Sequence, residues 1–395
     1  MKKFLLATAV MTALSGTVLA EDAIKVGVVL GYTGPIESLT PDMAASAELA
    51  FKEASDSGAL LGGKKIEPIR ADSTCVDAAA AQAAADRLVT SEKVVAIVGA
   101  ACSGASTAVA NSVAVPNGVP MISPSSTSPA LSTIDDKGFF FRTAPSDARQ
   151  GDILAAVVKG RGIENVAITY TNNDYGKGLS DAFSSAYEKL GGKIAINASH
   201  EDGKADYSAE VAALSASGAN ELVVLGYVDQ GGKGIIQTSL DTGAFQRFIM
   251  ADGMIGQGLI DAIGDDLAGS FGTLPGGADA SAWQATAKAG GIADDGDGPY
   301  RGESYDAGAL IVLAMQAAGA ADRAKIQEKI MDVANAPGEK ILAGELEKGL
   351  KLLAEGKDID YVGATNVELL EVGEVAGTYK EVEVKDSKFE TIKVH

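Results

Sequence analysis

Small hydroxyl-bearing residues gather in two turns of this chain: Gly99-Ala100-Ala101-Cys102-Ser103-Gly104-Ala105 and Ser123-Pro124-Ser125-Ser126-Thr127-Ser128-Pro129. The first follows the β-branched run Val94 to Val98 and the second follows Val119 to Ile122. In open α/β sheets, ligands sit outside the carboxyl ends of the strands. Helix starts there expose unpaired N–H groups and a positive dipole end, which suit a carboxylate, and serine or threonine adds further donors. The same hydroxyls also cap helices, so one alone carries little weight. Two clusters in neighbouring turns point to binding.

Catalytic chemistry finds little support. The chain has two histidines, His200 beside an expected loop and His395 at its end. Neither lies near a candidate serine nucleophile or a cysteine in the sequence, as a nucleophile and its base would require. A G-x-S-x-G elbow and a Walker lysine motif are absent. The turn Gly31-Tyr32-Thr33-Gly34-Pro35 follows the first strand but has the wrong spacing for a dinucleotide fingerprint, so no nicotinamide cofactor is expected. Clustered histidine or cysteine ligands are missing too, so no metal is expected. Asp294-Asp295-Gly296-Asp297-Gly298 lacks the later glutamate and the flanking helices of a calcium loop and reads as a solvated loop.

The elements that must position these turns alternate. Strand-like runs at Ile24 to Leu30, Ile66 to Ala71, Val94 to Val98, Asn165 to Tyr170, Leu222 to Leu225 and Gln246 to Met250 are separated by helical patterns near Met43 to Ala54, Ala78 to Val89, Ala105 to Val113, Asp147 to Val158, Gly178 to Leu190 and Tyr207 to Ala216. Apolar strands divided by helices describe βαβ units on parallel sheets covered on both faces, an α/β protein. The pattern runs once to about Thr143 and then restarts, with Arg142 to Ser146 as the join, so two doubly wound lobes are expected. Ala278 to Gly298 reads as surface loop around one short helix. Helices are expected at Ser304 to Gly319 and Arg323 to Asn335, and short strands around Asn366 to Leu370, Thr378 to Val384 and Phe389 to Val394 complete one of the lobes.

Bulk properties set the compartment and class. Basic Met1-Lys2-Lys3, the apolar run Phe4 to Leu14 and the small-residue ending Val18-Leu19-Ala20 read as a secretory signal peptide, residues 1–20, cleaved after Ala20. No cysteine stands near Glu21 to carry a lipid, so a soluble periplasmic protein is expected, acting as a monomer. About 375 residues would remain, more than one hydrophobic core usually serves. The net charge of -20 becomes -22 once Lys2 and Lys3 leave, which argues against nucleic acid and anionic membrane surfaces as partners. Cys75 and Cys102 would meet an oxidising compartment, where one disulfide is the expectation.

The chain resembles the leucine/isoleucine/valine-binding protein family, the amino-acid-type substrate-binding proteins of ABC importers. The resemblance runs through Ile24-Lys25-Val26-Gly27 to Gly34-Pro35, Cys75, Cys102-Ser103, Met121-Ile122-Ser123-Pro124 with Ser126-Thr127-Ser128-Pro129, and Phe141-Arg142-Thr143. It continues through Asp174-Tyr175-Gly176-Lys177-Gly178, Gly226-Tyr227 and Tyr361-Val362-Gly363-Ala364-Thr365. It implies a type I periplasmic binding protein fold, two parallel-sheet lobes joined by a three-crossover hinge. Lobe one would hold residues 21–143 and 276–374, lobe two 144–275 and 375–395.

By resemblance Cys75 and Cys102 form the disulfide, and Ser103 donates to a ligand carboxylate. Ser125, Ser126 and Thr127 form the turn around the same head group, with Ser125 and Thr127 in contact with it. Tyr175 and Tyr227 close over the ligand from the second lobe, and Asp252 pairs with its ammonium, as charge attraction and charge-assisted hydrogen bonds favour. The implied partners are a small-molecule ligand, an amino acid or close analogue, and a membrane permease. The family commonly has glutamate where Asp252 stands and an aromatic residue near Leu39, so a branched-chain side chain does not follow. Amides, aromatic acids and a sensing role without transport stay open. Asp252 as a turn residue beside Gly253 and Tyr227 as sheet packing are the plainer alternatives.

Overall fold

The computed structural model describes residues 23–277 and 279–395, and the expected leader at residues 1–20 lies outside them. One five-stranded sheet is built from β1 (Ile24–Leu30), β2 (Ile66–Asp72), β3 (Ile97–Gly99), β4 (Met121–Ser123) and β5 (Phe140–Arg142), in the order β2-β1-β3-β4-β5 and parallel throughout. A seven-stranded sheet contains β6 (Asn165–Thr171), β7 (Lys193–His200), β8 (Glu221–Leu225), β9 (Phe248–Met250) and β10 (Phe271–Pro275). Between it and the chain end, β11 (Glu339–Leu342) and β12 (Ile359–Gly363) pair as a small ribbon. The seven-stranded sheet is completed by β13 (Tyr379–Lys385) and β14 (Lys388–Val394), giving the order β14-β13-β10-β9-β8-β6-β7.

Helices α1 (Thr40–Asp56), α2 (Ala78–Thr90) and α3 (Ser103–Val109) serve the first sheet, and α4 (Asp147–Gly160), α5 (Asp174–Lys189), α6 (Ser208–Ser215), α7 (Gly231–Thr242) and α8 (Gln257–Ile263) the second. The later helices are α9 (Ser281–Gly290), α10 (Arg301–Ala318), α11 (Arg323–Ala334) and α12 (Leu346–Ala354). Helix α10 is buried at every position from Gly302 to Gln316, its run Ala307 to Met315 being apolar on all sides, and it packs between α1 and α11. The chain passes between the two sheets three times: from β5 into α4, from β10 towards α9, and from Glu374, which bridges to Arg142, into β13.

The α/β architecture expected from the alternation is present, with two differences of detail. Strand β13 runs antiparallel to β10, and β14 antiparallel to β13, so the second sheet is mixed. A hairpin can extend a sheet edge without a crossover helix, which is why the tail closes the sheet so economically. The strand expected at Asn366 to Leu370 is not formed: Asn366 lies at φ 59°, and Leu369 contributes an isolated bridge to Val375. The region after 278 folds as expected around one short helix, α9, followed by a single turn at Ala293–Gly296.

Candidate ligand-binding site

The first wall comes from the two hydroxyl-rich turns. Ser103 opens α3, and its Oγ accepts hydrogen bonds from the backbone N–H groups of Thr127 (3.2 Å) and Ser128 (3.1 Å). With its acceptor side occupied in this way, the buried hydroxyl keeps its own proton to give. Ser123 Oγ donates to Ala100 O at 2.6 Å and accepts from Ser126 N at 3.0 Å. Ser125 Oγ donates to Ala101 O at 2.9 Å. Ser126 Oγ stands 2.7 Å from Ser106 Oγ and reaches Ala100 O at 3.1 Å, so its hydroxyl is spent on joining the two turns. Arg142, almost wholly buried, donates to the carbonyls of Ser126 (3.1 Å) and Ser128 (3.0 Å) while Glu374 balances its charge.

The Cys75–Cys102 disulfide closes behind this wall, in agreement with the sequence-based expectation. Cys102 immediately precedes Ser103, so the bridge anchors the residue before the donor.

The opposite wall is aromatic and acidic. Asn173 caps α5 by accepting from Gly176 N at 3.1 Å, which sets Tyr175 at the start of the helix. A Cβ at Gly176 would stand 2.2 Å from Thr171 O, and one at Gly178 would stand 2.8 Å from Pro129 Cδ. The motif D-Y-G-K-G therefore spends one glycine on its own sheet and the other on the facing hydroxyl-rich turn. Tyr175 and Tyr227 stack with ring centres 5.1 Å apart. Asp252 follows β9 in a short turn and is 2% exposed. Its Oδ1 accepts from the Tyr175 hydroxyl at 3.1 Å and its Oδ2 from the Tyr300 hydroxyl at 2.5 Å. Burial pushes the Asp252 carboxyl up, and hydrogen bonds from Tyr300, Tyr175 and Gln150 hold it down.

Between the walls lies a small cavity, lined by Ser103 and Ser125 on one side and Tyr175, Tyr227 and Asp252 on the other. Ile36, Leu39 and Met43 give it an apolar floor, and Tyr300 also lines it. Of the residues singled out from the sequence, Ser126 and Thr127 stand behind the lining. Thr127 is fully buried and its Oγ1 has no hydrogen-bond partner.

Tyr300, Ile36 and Met43 were missed by sequence reasoning. Tyr300 sits at φ 60° directly before α10, between the loop expected to end at Gly298 and the helix expected from Ser304. A tyrosine just after Gly298-Pro299 was the available signal. The histidines are elsewhere: His200 Nδ1 pairs with Thr169 Oγ1 at 2.8 Å, and His395 with Glu381 at 3.1 Å. Burial lowers His200 to about 4, which leaves it neutral. Among the described residues no group of three or more His, Cys, Asp or Glu is placed to hold a metal ion.

Residues 23–340 match the sequence profile of the periplasmic binding proteins. The chain belongs to that family. A leucine-, isoleucine-, valine-, threonine- and alanine-binding protein of Pseudomonas aeruginosa is 27% identical over 321 residues, 79% of this chain and 83% of that protein. The crystal structure of a leucine-binding protein from Thermotoga maritima superposes with a TM-score of 0.78 at 24% identity, covering 94% of this chain and 98% of that one. A solute-binding protein of an ABC transporter from R. palustris, solved with benzoate, gives 0.76 at 17% identity over 94% and 96% of the two chains. These structures establish the type I periplasmic binding protein fold, and the sequence relatives place this chain among the leucine/isoleucine/valine-binding type.

Proposed function

We propose that this periplasmic binding protein captures an amino acid or a close analogue in the interlobe cleft and delivers it to the permease of an ABC importer. The observation that carries the reading is the pairing of opposite chemistries across one small cavity. Ser103 keeps a free proton for a carboxylate, and Asp252 supplies an acceptor for an ammonium, with the apolar Ile36, Leu39 and Met43 beneath. A zwitterion satisfies both walls, whereas an acid without an amine sets a carboxylate near buried Asp252, which is costly. The lobes are taken as residues 21–143 with 276–374 and 144–275 with 375–395, swinging together over the ligand.

The Pseudomonas relative supports an amino-acid ligand. A binder of aromatic acids is the second reading, favoured by the ring surfaces of Tyr175, Tyr227 and Tyr300 in the cavity. A thermal-shift screen of amino acids, amides and aromatic acids separates them, since a ligand at 100 times its Kd stabilises by about 2.7 kcal/mol. The expected hit is an amino acid, weakened by Ser103→Ala and by Asp252→Asn. An aromatic acid that stabilises the protein while no amino acid does would reverse the choice.

A further inference from the structure

One cation beside the cleft takes no part in the lining and yet holds two of the segments that form it. Arg301, the first residue of α10, is largely buried, and its guanidinium reaches three separate points. Nη1 donates to Ala293 O and to Asp297 O, both at 2.8 Å, and Nη2 donates to Asp42 Oδ2 at 2.5 Å. The two carbonyls belong to the strap of residues 293–300 that ends in Tyr300. Asp42 lies in the first turn of α1, between Leu39 and Met43 of the cavity floor. A guanidinium suits this work, because it presents several donors in one rigid plane and stays charged.

The strap is shaped for this grip. Gly298 lies at φ 155°, and a Cβ on it would stand 2.8 Å from Arg301 Cζ. Gly296 lies at φ 80°, a Cβ on it would stand 2.6 Å from Trp283 Nε1, and that indole N–H donates to Gly296 O at 3.0 Å. Two bare positions thus let the strap lie against a guanidinium and an indole that also hold its carbonyls. Tyr300 stands at φ 60°, a backbone conformation that a tyrosine keeps only where its surroundings impose it. Its hydroxyl is committed to Asp252, so the constraint comes from the strap and from the residue that follows.

We propose that Arg301 is a positioning residue, pinning the strap to the first turn of α1 so that the Tyr300 hydroxyl meets Asp252. This rests on the reading of the cleft as a ligand site. Without the pin, Tyr300 relaxes to negative φ and its hydroxyl leaves the carboxylate. Arg301 is not on the cavity lining, so its effect on binding passes through the Tyr300–Asp252 bond.

The test uses the intact mature protein and calorimetry with the standard amino acid that stabilises the wild type most. Arg301→Ala is expected to weaken that ligand about tenfold, and the Arg301→Ala/Tyr300→Phe pair to be little worse than either single variant, since both remove the same bond. Losses that multiply in the pair overturn the proposal and mark a purely structural cation. Arg301→Lys keeps a charge opposite Asp42 without the fork on the two carbonyls, and it serves if Arg301→Ala does not fold. The same coupling to Tyr300→Phe is expected there, and wild-type affinity in Arg301→Lys overturns the proposal. Trp283 is the single tryptophan of the chain, so its emission reports the strap with no ligand present. A red shift is expected in Arg301→Ala and none in Tyr300→Phe, and emission unchanged in both overturns the proposal whatever binds. If aromatic acids bind the wild type and no amino acid does, the amino-acid reading falls alone, and the same variants measured with that acid decide the proposal.

Discussion

The Tyr300 hydroxyl donates to Asp252 Oδ2 at 2.5 Å, joining the residue before α10 to the turn after β9. Helix α10 packs on α1 of the first layer, while β9 lies in the middle of the second sheet, so this bond crosses the cleft. It also spends one oxygen's best direction on a phenol and leaves the ligand the rest of the carboxylate. A phenylalanine would keep the ring and lose the bond.

Tyr300→Phe should therefore weaken an amino-acid ligand by roughly tenfold, since a hydrogen bond to a charged group contributes about 1.5 to 3 kcal/mol and part of that is recovered by the ligand. Calorimetry with the preferred amino acid checks it. Affinity equal to the wild type would mean that the phenol does not orient Asp252.

A second seam lies just outside the cavity. Asp229 N donates to Pro35 O at 3.0 Å, and Ser38 N donates to Asp229 Oδ2 at 2.8 Å. Asp229→Ala removes the side-chain half of this seam without touching the lining. The expected result is ligand release several-fold faster with nearly unchanged capture, because about 1 kcal/mol of closing energy is lost and such losses fall mainly on dissociation. Stopped-flow tyrosine fluorescence measures both rates, and a change confined to capture would contradict the seam's role.

Stability should depend on pH through Glu303 near the start of α10. Burial raises its carboxyl from 4.5 to about 8. The folded state then holds a proton that the unfolded state releases, so this residue's contribution is full below about pH 4.5 and is lost as pH rises towards 8. Glu303→Gln should melt several degrees higher than the wild type at pH 8, a gain on the order of 2 kcal/mol, and about equally at pH 4.5. A gap of the same size at both pH values would show that the charge is not responsible.

Replacing both Cys75 and Cys102 by serine opens a loop of sequence separation 27. Loop entropy puts the cost at roughly 3 to 4 kcal/mol, a fall of about 4 to 5 °C in Tm for a chain of this length. Thr74 and Cys75 both lie at positive φ, 55° and 70°, a conformation that non-glycine residues hold only when their surroundings impose it. Scanning calorimetry of the double variant gives the answer, and a Tm within 2 °C or so of the wild type would refute this estimate.

The sequence made the scaffold legible because β1, with the pattern IKVGVVL, and the alanine-rich α2 carry their periods in few residues. Short β5 and the edge strand β7, with its largely half-exposed pattern, lack such a signal and were passed over. In the cleft, Ser103, Ser125, Tyr175, Tyr227 and Asp252 come together on the lining. Ser126 does not, because its hydroxyl is drawn into the bond with Ser106, a partner twenty residues away. Tyr300 arrives from a turn nearly fifty residues beyond Asp252, and a contact of that separation has no local pattern to announce it.

The missing side chain at Gly178 is, in effect, a socket kept vacant for Pro129. Under the hinge closure proposed above, that vacancy has no use while the lobes stand apart. Gly178 thus sets how closely α5 and the hydroxyl-rich turn meet, from a position outside the cavity lining. Filling the socket, as Gly178→Val would, should leave the pocket's chemistry intact and yet bias the molecule towards the shape it has when empty.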